Sequence, residues 1–153
     1  MLCRLTFLRW ALLLFIAAIP QFAVSDEIAS WDFEKEPIGW EPNGQVELSL
    51  QDGKLILKSK GKDPYFSAAV DGKTGNHRRS ISAKLKGNAE IQVFWTTEAE
   101  PTTSEDKSVK TELRGSDKEF RTARLYFNTT SPVKSLRIDP LSRGGMMEIE
   151  SII

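Results

Sequence analysis

Turn-forming residues recur along most of this chain at intervals close to ten residues, and this spacing most constrains its fold. Clusters of Gly, Pro, Asn and Asp lie at residues 42–44, 52–53, 61–64, 71–72, 87–88, 115–117 and 144–145. Between them, apolar and polar residues tend to alternate, and no window of useful length repeats apolar residues at helical spacing. Short strands with frequent turns are typical of antiparallel sandwiches. The sequence therefore predicts an all-β sandwich of two antiparallel sheets.

Nine strands are predicted between these turns. They span residues 45–50, 54–59, 66–70, 80–86, 90–96, 108–113, 120–127, 133–139 and 146–153. Alternation within the strands 120–127 and 133–139 directs apolar residues inward, including Leu125 and Leu136, and polar residues outward. Arg137 is therefore expected on an outer face of the sandwich.

Two hairpins are predicted from their turns. A two-residue loop at 52–53 would pair Leu50 with Leu55 and Leu48 with Leu57, which stacks four leucines on one face. A second hairpin is predicted around residues 87–89. A three-residue loop, 87–89, is favoured over a two-residue loop, 87–88, because the shorter loop would place Leu85 opposite Glu90. Its expected pairs are Leu85 with Ile91, Ala83 with Val93 and Ile81 with Trp95.

That register directs Trp95 into the core and Phe94 outward among hydroxyl and amide side chains. An aromatic ring in such a setting can stack against the C–H face of a sugar while polar groups bond its hydroxyls. The candidate ligand-binding residues are Phe94, Tyr126, Ser82, Gln92, Thr122, Arg124 and Arg137. If Arg78 and Arg79, with Arg124 and Arg137, border the same face, the ligand is expected to carry carboxylates or sulfates. The alternatives are aromatics covered by a loop and arginines that only balance surface charge.

Residues 1–25 are predicted to be a secretory signal peptide. Arg4 and Arg9 provide a positive start, and residues 10–19 form an uninterrupted run of ten apolar residues. That run is shorter than the roughly 20 residues of a membrane-spanning helix. Small residues before Asp26 favour cleavage between Ser25 and Asp26. Residues 26–153 are then expected to form one secreted domain, extracellular or periplasmic, without a membrane span.

Charge and reactive groups exclude several functions for this expected domain. It has 19 basic and 21 acidic residues, and so no basic excess to bind nucleic acid. The single cysteine precedes residue 26, which leaves no thiol for catalysis or metal binding. His77, expected in a loop, has no Gly-x-Ser-x-Gly serine to activate. We therefore expect no enzymatic activity.

Both ends of the expected domain resemble a known fold family. Residues 31–34 (WDFE) and 39–40 (GW) are similar to the start of galactose-binding-like jelly rolls, including calcium-carrying carbohydrate-binding modules. Residues 149–152 (IESI) resemble the apolar–acid–x–apolar strand on which such modules close. The resemblance covers residues 28–153 and implies a jelly-roll β-sandwich.

The resemblance also implies a metal site and a ligand class. In such modules the first and last strands lie side by side, and their acids often hold a structural calcium, for which oxygen ligands are suitable. The matching residues are Glu34 and Glu150, with Asp32 as a third ligand; the alternative is solvated charges at strand ends. We expect a secreted, non-catalytic module that stacks a polysaccharide on Phe94 or Tyr126. The alternative is a secreted protein-interaction or envelope scaffold with no sugar site.

Overall fold

The structure is a computed structural model that describes residues 29–34, 39–140 and 144–153. Within these residues the chain forms ten strands and one short 3-10 helix, η1 (Glu105–Lys107). The strands are β1 (Glu41–Pro42), β2 (Val46–Gln51), β3 (Lys54–Ser59), β4 (Phe66–Ala69), β5 (Gly75–Leu85), β6 (Ala89–Thr97), β7 (Ser108–Leu113), β8 (Arg121–Thr129), β9 (Val133–Asp139) and β10 (Gly145–Ile152). The predicted signal peptide lies outside the described residues. Among those described, no helix is long and apolar enough to cross a membrane.

The strands form two antiparallel sheets of five strands each. The first, called sheet I, has the order β1-β4-β9-β6-β7, and the second, called sheet II, has the order β2-β3-β10-β5-β8. This arrangement confirms the predicted all-β, jelly-roll β-sandwich. The bounds of β3, β7 and β9 match the prediction residue for residue, because clear turn residues border each of them.

The core lies between the two sheets and is built from the inward side of each strand. Leu125 and Phe127 of sheet II are buried, as are Leu136 and Ile138 of sheet I, in agreement with the predicted alternation. The two sheets meet where Trp95 stacks on Phe127 with ring centroids 4.2 Å apart. Removing this apolar surface from water is the main force that holds the sheets together.

The two predicted hairpins have different outcomes. β2 pairs with β3 in the predicted register, with Leu48 opposite Leu57 and Leu50 opposite Leu55. The predicted pairing of β5 with β6 is wrong, because the chain crosses from sheet II to sheet I at Gly87. β5 pairs with β10 and β8, and β6 pairs with β9 and β7. Alternation specifies which side chains point inward. A β5–β6 hairpin and a crossing between the sheets direct the same side chains inward, so alternation does not distinguish them.

The two ends of the described domain meet beside sheet II. The backbone N–H of Trp31 donates to the carbonyl of Ile152 at 2.8 Å, and the N–H of Ile152 donates back at 3.0 Å. Trp31 also packs on Trp40 with ring centroids 4.7 Å apart, and Trp40 meets Phe66 edge-on at 4.9 Å. The first and last segments therefore lie side by side, as the resemblance implies.

Candidate ligand-binding faces

The predicted ligand-binding residues divide between the two outer faces of the sandwich. Phe94, Gln92 and Arg137 lie on strands of sheet I. The others lie on sheet II, namely Tyr126, Ser82, Thr122 and Arg124. The expected grouping of Ser82 with Phe94 is wrong for the same reason as the β5–β6 hairpin. The molecule presents two separate groups, here named the Arg137 face and the Tyr126 face.

The Arg137 face is organised in rows that cross sheet I. In one row, Arg137 lies between Ser67 of β4 and Phe94 of β6, and Phe94 pairs in turn with Ser108 of β7. In the next row, Gln92 lies between Asp139 and Lys110. Because neighbouring strands are ~4.8 Å apart, each row holds its side chains within mutual reach. The register alone therefore assembles a polar face.

The guanidinium of Arg137 is held at the centre of this face by several groups. Its Nε and Nη2 donate to the two carboxylate oxygens of Asp139, both at 2.7 Å, and Nη2 also lies 3.4 Å from Asp63 Oδ1. Its central carbon lies 3.8 Å from the centroid of the Tyr65 ring and 4.9 Å from that of Phe94. A bidentate carboxylate and two aromatic contacts fix the plane of the guanidinium.

Phe94 is only 6% exposed, although its side chain points away from the core. The guanidinium of Arg137 lies over its ring. A ligand approaching this point therefore meets the guanidinium and the half-buried Tyr65 before it meets Phe94.

Burial and pairing shift the proton affinities of the central ion pair. Hydrogen bonding to Asp139 raises the pKa of Arg137 above its ordinary value, so the guanidinium stays charged. Burial raises the pKa of Asp139, and this effect outweighs the opposing influence of Arg137. Removing a carboxylate from water disfavours its charged form. Asp139 therefore takes up a proton at a higher pH than an exposed aspartate does.

A shallow groove of about 250 Å³ runs beside this pair. The groove is lined by Lys62, Asp63, Pro64, Glu90, Gln92, Lys110 and Asp139. The side-chain amide of Gln92 donates to Ser108 Oγ at 2.8 Å and to Glu105 Oε2 at 3.0 Å. Lys110 Nζ lies 3.8 Å from Glu90 Oε1. The groove thus offers both donors and acceptors on side chains that their neighbours hold in place.

The Tyr126 face lies on the opposite side of the molecule, on β5 and the edge strand β8. Tyr126 is 63% exposed and lies directly opposite Arg78. The next outward pairs along the ladder are Ser80 with Arg124 and Ser82 with Thr122. Ser82 Oγ donates to Glu150 Oε2 at 3.0 Å. Tyr126 is therefore the aromatic ring of the predicted set that stands open to solvent.

The three predicted calcium ligands do not form a carboxylate cluster. The side chain of Asp32 accepts from the backbone N–H of Glu34 at 3.3 Å, and Glu150 is engaged by Ser82. Across residues 29–34, 39–140 and 144–153, no group of three or more His, Cys, Asp or Glu side chains is placed to hold a metal ion. Calcium needs six to eight oxygens, and these side chains do not supply them. The calcium site therefore stays a prediction from the resemblance.

His77 is placed differently from the sequence expectation. It lies inside β5, which begins five residues earlier than predicted, and its side chain is 4% exposed. Its Nε2 lies 2.8 Å from Thr129 Oγ1. Burial lowers the pKa of His77, with a further contribution from the charge of Arg79. The charged residues in this part of β5 obscured the alternation that directs His77 inward.

Several residues of the Arg137 face were not among the predicted site residues. They are Lys62, Asp63, Tyr65, Lys110 and Asp139. For two of them the sequence carried a usable signal. Asp139 follows Arg137 by two residues on one strand and so shares its face, while Tyr65 directly precedes β4, whose neighbour is β9. Asp63 lies in a turn, and periodicity does not specify where a turn side chain points.

Comparison with solved structures identifies the same fold in carbohydrate-binding modules. The unliganded CBM1 of BiXyn10A has a TM-score of 0.61 at 9% sequence identity, over 83% of this chain and 96% of that one. The CBM22-1 xylan-binding domain from Paenibacillus barcinonensis Xyn10C has a TM-score of 0.60 at 17% identity, over 85% and 94% of the two chains. A CBM29-2 variant complexed with cellohexaose has a TM-score of 0.57 at 19% identity, over 82% and 87% of the two chains.

No family model matches this sequence, and no curated protein is significantly similar to it. The solved structures therefore establish that the chain has the β-sandwich fold of carbohydrate-binding modules.

Proposed function

We propose that this protein is a non-catalytic carbohydrate-binding module that holds a neutral glycan on the Arg137 face. The observation that carries the proposal is the Arg137 guanidinium, fixed by Asp139 and in contact with Tyr65 and Phe94, beside a polar groove. A rigid polar site loses little conformational entropy when a ligand binds. This is the kind of surface that a sugar with many hydroxyls requires.

The side chains of the groove match the chemistry of sugar hydroxyls. Arg137 uses Nε and Nη2 to bond its neighbours, and Nη1 makes no hydrogen bond within the described residues. Nη1 can therefore donate to a sugar oxygen. Carboxylate oxygens of Asp63 and Glu90 can accept from sugar hydroxyls. The guanidinium covers one face of the half-buried Tyr65 ring, so a sugar C–H face would pack on the part of that ring that Arg137 leaves open.

The balance of charge on this face favours a neutral ligand. Three cationic side chains, Arg137, Lys62 and Lys110, lie among four carboxylates, so this face has no excess of positive charge. The carboxylates are those of Asp63, Glu90, Glu105 and Asp139. The Nε–Nη2 edge of the guanidinium, one of its two bidentate edges, is already occupied by Asp139. An acidic sugar at that edge would have to displace this carboxylate, and one at the Nη1–Nη2 edge would lie close to the carboxylate of Asp63. A neutral sugar leaves both pairs intact.

The similar structures support this ligand class. One holds cellohexaose, and another is named as a xylan-binding domain. In CBM29-2, an arginine and an aspartate two positions after it were each replaced by alanine to probe ligand recognition. Arg137 and Asp139 have the same spacing on β9.

The proposal includes a location. Residues 1–25 would direct the chain to the secretory pathway, and residues 26–153 would act as one domain outside the cytoplasm, where polysaccharides are met. Aromatic stacking would use Tyr65, with Phe94 reached only if Arg137 moves. A face as shallow as this one gives a Kd between about 1 μM and 1 mM, equivalent to roughly 4–8 kcal/mol.

Isothermal titration calorimetry of the purified protein with cellohexaose and with soluble xylan tests the proposal. We expect saturable binding to at least one of them. Replacing Gln92 by alanine removes from the groove the side-chain carbonyl oxygen, which accepts no hydrogen bond from the described residues, whereas both N–H groups of the amide are already used. It should weaken that binding about fivefold, in line with the loss of one hydrogen bond.

The matched control is Thr122→Ala, which removes a polar side chain from the exposed surface of the opposite sheet. This variant should bind like the unchanged protein. Equal weakening by both substitutions would place the ligand elsewhere. A folded protein that binds neither glycan would contradict the proposal and favour a protein-interaction scaffold.

A further inference from the structure

The Tyr126 face carries two cations that form no ion pair with any carboxylate among the described residues. Ion pairs within the described part of the chain involve Lys60, Lys84, Lys107, Lys110, Lys134, Arg121 and Arg137. Arg78 and Arg124 are both exposed, and among the described residues neither has a carboxylate within ion-pairing distance. Their guanidinium groups therefore remain open to an external anion.

The sheet register places these two arginines around one exposed ring. Arg78 is the direct cross-strand partner of Tyr126, and Arg124 precedes Tyr126 by two residues on the same side of β8. Side chains in such positions lie about 5–8 Å apart. The strand β8 is the outer edge of sheet II, so no further strand of that sheet covers the group on its far side.

The neighbouring side chains add hydroxyl groups and little negative charge. Ser80 pairs with Arg124, and Ser82 pairs with Thr122. Among the described side chains beside these pairs, the carboxylate is that of Glu150, which already accepts a hydrogen bond from Ser82. Farther along β5, Lys84 is paired with Glu148 at 2.8 Å. The group around Tyr126 is therefore locally cationic in a domain whose total charge is slightly negative.

We propose that the Tyr126 face is a second binding surface, specific for an acidic polysaccharide. Arg78 and Arg124 would bond its carboxylate or sulfate groups, and the Tyr126 ring would pack against the sugar between them. Guanidinium groups recognise both kinds of anion through paired N–H donors. The open ring and the adjacent hydroxyls favour a sugar chain over a bare polyanion. This surface is independent of the neutral-glycan site on the opposite sheet.

Affinity electrophoresis of the purified protein in gels containing polygalacturonate or heparin tests this proposal. These two probes distinguish carboxylate from sulfate as the preferred anion. We expect retardation by at least one of them, and the double variant R78Q/R124Q should weaken binding at least tenfold. Tyr126→Ala should weaken it about threefold while leaving the charge unchanged.

The matched control is Lys58→Gln, which removes one positive charge from the outer side of sheet II, three strands away from β8. It should bind the acidic probe like the unchanged protein. If Lys58→Gln weakened binding to the acidic probe as much as Arg124→Gln does, the binding would depend only on the total charge of the protein. That result would overturn the proposal.

Two further outcomes would also overturn it. One is the absence of retardation by either acidic glycan. The other is equal or stronger binding of single-stranded DNA through the same arginines, which would assign the face to polyanions in general. Gln92→Ala separates the two sites, since it should change binding to neutral glycans and leave binding to the acidic probe intact. Failure of one proposal therefore does not decide the other.

Discussion

Arg137 shows how one side chain can organise a face that apolar patterning leaves undefined. It points outward from β9, yet it is largely surrounded by Tyr65, Phe94 and Asp139. The desolvation that such packing requires is offset by the bidentate carboxylate, since a buried charge is stable only when it is paired and hydrogen-bonded. The pair lies at the centre of the proposed site, so its protonation should control ligand binding.

Glycan binding at this face should weaken in acid. Because burial raises the pKa of Asp139, lowering the pH from about 7 to about 4 protonates it ahead of exposed aspartates. Arg137 then loses its bidentate partner and its fixed plane. Cellohexaose titrations across this range should show Kd rising as the pH falls.

Two controls separate this effect from unfolding. A carboxyl group whose pKa is raised by folding binds its proton more tightly in the folded state, so its protonation by itself favours folding at low pH. Thermal denaturation should therefore show that the protein stays folded at pH values where binding is already weaker. In Asp139→Asn, binding should be weak at neutral pH and largely independent of pH. A variant with an unchanged acid response would show that other carboxylates, such as Asp63 or Glu105, control binding.

At the level of elements, the chain crosses from sheet II to sheet I between β5 and β6. This crossing depends on close packing between the β5–β6 turn and the segment that follows β7. The turn after β5 contains Gly87, and the segment after β7 contains Gly115. The N–H of Leu85 donates to the carbonyl of Ser116 at 3.1 Å, and the N–H of Gly115 donates to Asn88 Oδ1 at 3.3 Å. These bonds hold the two connections against each other where the chain leaves sheet II.

Gly115→Ala should destabilise the protein strongly. A Cβ at this position would overlap the carbonyl oxygen of Gly87 and lie 2.8 Å from that of Leu85, and neither backbone group can rotate away. We expect the free energy of unfolding to fall by about 3 kcal/mol, as for other overpacked sites. Urea denaturation of Gly115→Ala beside Gly44→Ala checks this, because a Cβ at Gly44 meets no atom within 4 Å. Similar stability of the two variants would contradict the described packing.

The sequence predicted where the strands lie along the chain better than it predicted which strands pair with each other. Turn residues and alternation located nine strands and directed Trp95 and Leu136 inward, because both signals are local. The same signals could not show that the chain crosses between sheets at Gly87, because a hairpin and a crossing bury the same side chains. The expected single group around Phe94 is wrong for that reason: two of its members lie on the same face as Phe94, and the other four lie together on the opposite sheet.

At the scale of the whole molecule, the sandwich presents two chemically different surfaces. Sheet I carries the groove beside Arg137, where cations and carboxylates are mixed. Sheet II carries the open ring of Tyr126 with two arginines that have no ion-pair partner within the described part of the chain. Because the sheets pack back to back, the two surfaces face opposite directions. A protein with both sites could connect a neutral glycan to an acidic one, and linked sites of modest affinity bind strongly when both are engaged.

The most direct test of the central claim is a crystal structure of the protein grown with cellohexaose. We expect sugar density along the groove beside Arg137, with hydroxyls bonded to Gln92 and to the free edge of the guanidinium, and no sugar at Tyr126. Sugar bound only at Tyr126, or no sugar in crystals in which the Arg137 face is open to solvent, would contradict it.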